Sequence, residues 1–256
     1  MPLDRRTFLK LAGVAAGSPF LTRLDSVLAE SPGGRGMERL GVTTVSLHQW
    51  FPKTRKGKHA GLDLTLEEIP AFMVREFGVR NVEVWSRHFS DTSLEFCAKL
   101  AGIAKTEGCR IINIQLDGKD DVSAPDEAKR RASLATAKEW MDRAAACGAG
   151  SLRVNVGGAS AHFDAATSID SFSELAERGE TVGVKVLVEN HGGNSVNPDN
   201  VLAIVNGVDS PWCRTLPDFG NLDGKATDEK RFDVLEKLVP EAGLISAKGM
   251  AFDAGG

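Results

Sequence analysis

The sequence predicts an α/β fold, a (β/α) barrel of parallel strands, and three observations lead there. From Leu40 onward, short apolar or β-branched runs alternate with longer stretches of helical spacing. A glycine stands between a helical stretch and the next run at Gly78, Gly108, Gly148 and Gly183, where the left-handed turn after a helix favours it. No G-x-G-x-x-G follows the first run, which counts against a dinucleotide-binding sheet. Strict alternation means a parallel sheet with right-handed crossovers. A repeat of about 30 to 40 residues suits barrel units.

Seven strand-like runs are expected: Gly41–Ser46, Asn81–Trp85, Cys109–Gln115, Ser151–Val156, Val184–Glu189, Cys213–Leu216 and Gly243–Ala247. Between them, Thr65 is placed to cap a helix opening at Leu66. Ser93 to Glu107 carries Leu94, Cys97, Leu100 and Ile103 at helical spacing. Helices are also expected over Asp126–Cys147, Ile169–Arg178, Pro198–Val205 and Glu229–Leu238. Only Lys248 to Gly256 follow the seventh run, so the expected barrel lacks its eighth β/α unit. The other reading is that the first run is not a barrel strand. An open barrel exposes two parallel edges, which carries an expectation of association with a second copy.

The chain has 256 residues, a net charge of −4, 26% charged and 42% hydrophobic residues, an ordinary globular composition. A slightly acidic balance gives no electrostatic case for nucleic acid. Asp4-Arg5-Arg6-Thr7-Phe8-Leu9-Lys10 precedes an apolar run from Leu11 to Leu21 and the small-residue site Val27-Leu28-Ala29. The order of charged, apolar and small segments is that of a signal peptide. The paired arginines with Phe8-Leu9-Lys10 resemble the twin-arginine signal. That resemblance implies export by the twin-arginine translocase to a periplasmic or extracytoplasmic location. Residues 1–36 are read as signal and linker, and 37–256 as the barrel. Cys97, Cys109, Cys147 and Cys213 match no zinc spacing and are expected as buried thiols, with two bridges as the alternative for an exported chain.

Barrel chemistry sits at the C-terminal ends of strands, so polar residues closing each apolar run are the candidates. The fifth run ends Val188-Glu189-Asn190-His191-Gly192-Gly193. A carboxylate after three buried aliphatics is costly unless paired or bound to metal, and His191 can reach the same side. The sixth ends Pro217-Asp218-Phe219-Gly220-Asn221. Glu189 and Asp218 offer hard oxygen ligands on adjacent strands, suited to Mg²⁺ or Mn²⁺. The bland alternatives are a salt bridge for Glu189 and a helix cap for Asp218. Lys248 closes the seventh run, facing either substrate oxygens or solvent. Glu83, with Arg87 and His88 beyond it, and Arg153 are either ligand contacts or a buried ion pair. His48 with Gln49, Trp50 and Phe51 is expected as an aromatic lip. His59 and His162 read as solvated loop residues.

Val188-Glu189-Asn190-His191-Gly192-Gly193, Pro217-Asp218-Phe219-Gly220-Asn221 and Ser246-Ala247-Lys248 together resemble the xylose isomerase-like TIM barrels, over about Leu40 to Asp253. The resemblance implies a sugar isomerase or epimerase working by proton transfer next to a carbonyl through an enediolate. It implies a divalent ion held by Glu189 and Asp218. Ser246 stands near the position of the family's histidine ligand, and the family's last glutamate lies on strand eight. With two of four ligands, the metal is expected to bind weakly. Glu189 is the implied base, and Lys248 the second catalytic group. His191, Asn221, Arg153, Glu83 and His88 are the implied sugar contacts. A lyase or dehydratase acting on oxidised sugars is the related alternative, and a sugar-binding barrel without turnover the other. An apurinic-site endonuclease is disfavoured, since such enzymes need more than the five histidines present.

Overall fold

A computed structural model describes residues 36–57, 61–157, 163–222 and 226–248. The expected signal at residues 1–35, His59, His162 and the tail from 249 lie outside the described residues. Six parallel strands form one sheet: β1 (Gly41–Thr43), β2 (Asn81–Trp85), β3 (Arg110–Gln115), β4 (Ser151–Val154), β5 (Lys185–Glu189) and β6 (Cys213–Leu216). Their order in the sheet is the order in the chain. Every crossover therefore steps the same way, which curls a sheet toward a barrel instead of reversing it as in a doubly wound fold.

The helices between strands are α1 (Ile69–Phe77), α2 (Leu94–Thr106), α3 (Glu127–Ala146), α4 (Ala165–Val182), α5 (Pro198–Val208) and α6 (Asp228–Leu238). Local chemistry fixes their starts. Ser93 Oγ accepts from Phe96 N, Asp126 from Lys129 N, and Asn197 from Asp199 N, each satisfying a backbone donor that a helix start leaves unpaired. Thr65 does not cap α1 as expected. Its hydroxyl and backbone N–H both donate to Glu68 Oε2 (2.9 and 2.8 Å), and the helix begins three residues later, next to Pro70.

Strand pairing sorts the side chains by face. Val84, Ile114, Leu152 and Val186 stand in register across β2 to β5 and are buried in the core under the helices. The opposite face is polar. Glu83 pairs with Asn113 across a bulge that skips Ile112, and Gln115 pairs with Arg153. Barrel interiors are usually filled by branched aliphatics; a polar interior must be fully hydrogen-bonded or serve a ligand.

Two strand expectations need correction. The first strand stops at Thr43, where Thr43 Oγ1 accepts from Val45 N and the chain turns into a 3₁₀ helix over Thr44–Trp50. Leu47 and Trp50, three residues apart, then share one buried face with Phe51, so the expected aromatic lip is core packing. The seventh run makes one isolated bridge, Ser246 to Asp218, and Ala242 just before it makes another, to Thr215. Three residues on one side face four on the other, and that mismatch breaks a continuous ladder. All four cysteines are buried free thiols.

Candidate active site

The inner face of the sheet carries a connected set of charges at the strand ends. Arg153, on β4, is 2% exposed and Glu189, on β5, is 3% exposed. Arg153 Nε lies 2.8 Å from Glu189 Oε2. The two atoms are not aligned for a hydrogen bond, so their contact is one of charge. The other end of the guanidinium is tied down. Nη1 donates to Asp117 Oδ1 (2.6 Å), Asn155 Oδ1 (2.8 Å) and the Leu116 carbonyl (3.1 Å). Asp117 also accepts from Asn155 Nδ2 (3.0 Å) and Trp85 Nε1 (2.6 Å). Against the cost of burial, the Arg153 charge and these hydrogen bonds hold the Asp117 carboxyl below its usual range.

Glu189 sits differently. Its Oε1 accepts from Asn221 Nδ2 (3.0 Å), and Asn221 in turn accepts from the Lys248 ammonium. Burial pushes its carboxyl up to about 7; Arg153 opposes the rise, and the nearby Asp218 and Glu83 charges add to it. A buried carboxyl that titrates near neutrality is suited to taking and returning a proton.

Asp218 is buried, with one hydrogen bond on each carboxylate oxygen. Oδ1 accepts from Gly220 N (2.7 Å) and Oδ2 from Ser246 Oγ (2.6 Å). Its backbone exchanges two hydrogen bonds with the Asn190 amide, at 2.7 and 3.0 Å, which clamps the end of β6 to the end of β5. A side chain at Gly220 would meet Lys248 Cγ at 3.0 Å and Cδ at 2.8 Å, so this glycine lets Lys248 cross the β6 loop.

Other expected site residues are placed elsewhere. Glu83 lies deeper in the sheet, its two oxygens accepting from Gln115 Nε2 (2.6 Å) and Asn113 Nδ2 (2.7 Å). Burial pushes its carboxyl up, opposed by hydrogen bonds from Asn113 and Thr43 and by the Arg153 charge. Glu83 and Arg153 do not form the direct ion pair that was one reading; Arg153 pairs with Asp117 and Glu189 instead. His88 is buried, stacked on Phe51 with centroids 3.7 Å apart, and its ring nitrogens meet Thr44 Oγ1 and Thr54 Oγ1, both at 3.0 Å. Burial, with the His48 and Lys53 charges, pushes its ring down to about 3. It is a neutral packing residue with both nitrogens engaged, which leaves neither for a sugar. His191 is exposed and lines an open cleft of about 350 Å³ with Asn155, Gly157, Gly193 and Gly118 to Asp121. The cleft borders the charged network through Asn155.

Asp117, Asn113, Gln115 and Asn155 were not anticipated. The signal for Asp117 was available: Leu116-Asp117-Gly118 closes an apolar run with a carboxylate and a glycine, as Asp218 does.

The expected divalent ion does not fit this donor set. Glu189 Oε1 faces an amide donor and Oε2 faces a fixed guanidinium, so a second cation at this carboxylate would meet like charge. Among the described residues, no three His, Cys, Asp or Glu side chains gather as metal ligands.

Comparison with known proteins bears on this geometry. Residues 73–247 match the family model described as xylose isomerase-like TIM barrel. The chain belongs to that family. D-psicose 3-epimerase from Clostridium cellulolyticum H10, solved with D-tagatose, is 13% identical, with 80% of this chain and 71% of that one covered and a TM-score of 0.60. A xylose isomerase-like TIM barrel protein from Mycobacterium smegmatis, in complex with magnesium, is 18% identical, with 82% and 74% covered and a TM-score of 0.58. The probable 3-DHS dehydratase AsbF from Bacillus anthracis is 16% identical, with 81% and 72% covered and a TM-score of 0.58. At these identities the likeness is one of fold. No curated protein sequence matches the chain.

Proposed function

We propose that this chain is a carbohydrate isomerase or epimerase that moves a proton at a carbon next to a carbonyl, through an enediolate. One observation carries the reading. Glu189 is a buried carboxylate at the C-terminal end of β5, held between a guanidinium and an amide, and its partner Arg153 donates to Asn155, which lines an open polar cleft. In this reading Glu189 takes the proton and, in an isomerisation, returns it to the neighbouring carbon; an epimerisation needs the proton delivered from the opposite face by a second group. Arg153 and Lys248 supply positive charge as the enediolate oxygens become negative, the electrostatic part of such catalysis. Asn221 relays Lys248 to Glu189, and His191 and Asn155 contact hydroxyls in the cleft. Since the donors do not fit a divalent ion, no step is assigned to one.

The family is consistent with this reading, since one similar structure is a D-psicose 3-epimerase. Another is a probable dehydratase, and elimination begins with the same proton abstraction. Dehydration of an oxidised sugar is therefore the second reading. A panel of free ketoses, aldoses and uronic acids, with products followed by proton NMR, tests both. Epimers or isomers support the first and loss of water the second; no turnover on any sugar favours a non-catalytic sugar-binding barrel. The proposal includes twin-arginine export of the barrel directed by the signal in residues 1–36, checked by replacing Arg5 and Arg6 with Lys and following precursor processing. It also includes self-association, checked by sedimentation.

A further inference from the structure

A cation already neighbours Glu189, one of the two carboxylates on which a divalent ion is expected. Arg153 is among the largest fully buried side chains of the chain, and a guanidinium keeps its proton even when buried. It cannot swing aside, because Asp117, Asn155 and the Leu116 carbonyl hold Nη1. Its Nε is the partner of Glu189 Oε2, which accepts no aligned hydrogen bond from any other group. The nearby Asn221, which donates to Oε1, accepts from a second cation, Lys248. A dication approaching Glu189 would meet the fixed guanidinium at close range in a poorly screened interior, and like charges there repel strongly.

We infer that Arg153, anchored by Asp117, is the resident cation of this site and competes with divalent metal ions for Glu189. Two consequences follow from the contacts. The wild-type chain holds Mn²⁺ weakly although it keeps two family-type carboxylates. Removing the guanidinium leaves Glu189 Oε2 and Asp117 Oδ1 without their cation, and that vacancy attracts a metal ion. The inference concerns cation binding and needs no turnover, so it and the proposed function fail separately.

The test is calorimetric titration of Mn²⁺ alone into the full chain, beside Arg153→Met and Arg153→Gln. The glutamine variant is the gentler one, since its amide can still donate to Asp117. Circular dichroism and thermal melts establish which variants fold. The expected result is no tight site in the wild type and binding of one ion at least about tenfold tighter in a folded Arg153 variant. Adding Glu189→Gln to that variant should abolish the gain. Tight stoichiometric Mn²⁺ binding by the wild type would overturn the inference. So would equal affinities in the wild type and the folded variants, or a gain that survives Glu189→Gln.

Discussion

Glu83 and Glu189 are two buried glutamates on the same polar face of one sheet, and their settings differ. Glu83 stands mid-strand on β2, each oxygen accepting from a neutral amide. Glu189 closes β5, with one oxygen against the Arg153 cation and the other on Asn221, which Lys248 holds. Burial raises both carboxyls. Both are closed to solvent, Glu83 at 8% and Glu189 at 3% exposure, so position along the strand and the kind of partner separate them. A residue enclosed by its neighbouring strands satisfies its polar atoms internally, as buried groups must. At the strand end Glu189 has loop side chains for neighbours, Asn221 and through it Lys248, and in the proposed reading a ligand reaches its proton from that side.

The largest expected effect is on turnover. Glu189→Gln removes the proton acceptor and keeps the shape, and should lower kcat by about 10² to 10⁴-fold. Glu83→Gln should leave kcat within about tenfold, since Glu83 acts on Glu189 only through its charge and its oxygens are held by Asn113 and Gln115. Steady-state kinetics on whichever sugar proves active checks both.

Next comes the pH dependence of stability. Glu189 carries a proton in the fold up to about 7, against an ordinary value of 4.5. Between those values the folded chain binds a proton that the unfolded chain has lost. Stability from this group is therefore full below about 4.5, declines as pH rises across the window, and is gone above about 7. The whole decline is at most about 3 kcal/mol. Glu189→Gln should flatten that slope in urea unfolding curves taken across the window.

The third effect reverses the ranking of the two residues. Glu83→Gln places an amide NH₂ against one of two amide donors and should cost about 1–3 kcal/mol of stability, read as a lowered urea midpoint. The smallest effect is at the rim. Lys248→Met removes an exposed cation that reaches Glu189 only through Asn221. It should change urea stability by less than about 0.5 kcal/mol while lowering kcat by about tenfold.

Local signals carried much of the fold. β2 and β6 fall where their β-branched and apolar runs do, and the helices expected from Ser93 and from Asp126 start there, with those two residues as caps. The first strand was overextended because Val45 and Leu47 also alternate like a strand, whereas the Thr43 cap and the shared burial of Leu47 and Trp50 select a helical turn. The seventh run was read as a strand from its apolar residues, but the bridges at Ala242 and Ser246 are out of step. At the site, Glu189, Asp218 and Lys248 were legible because they close apolar runs. Asp117 follows the same rule and was passed over. The hub role of Arg153 was not legible, because its partner Asp117 lies 36 residues away and pairing across strands depends on register. His88 and Glu83 looked like site residues beside β2; the hydroxyls and amides that occupy them come from other elements.

The most direct test is solvent-deuterium wash-in. The wild type, Glu189→Gln and Glu83→Gln would each be incubated with the sugar panel in D₂O, and label next to the carbonyl read by mass spectrometry. The account predicts label with the wild type and with Glu83→Gln, and none above background with Glu189→Gln. Undiminished exchange in Glu189→Gln, or no exchange on any sugar with the wild type, would contradict it.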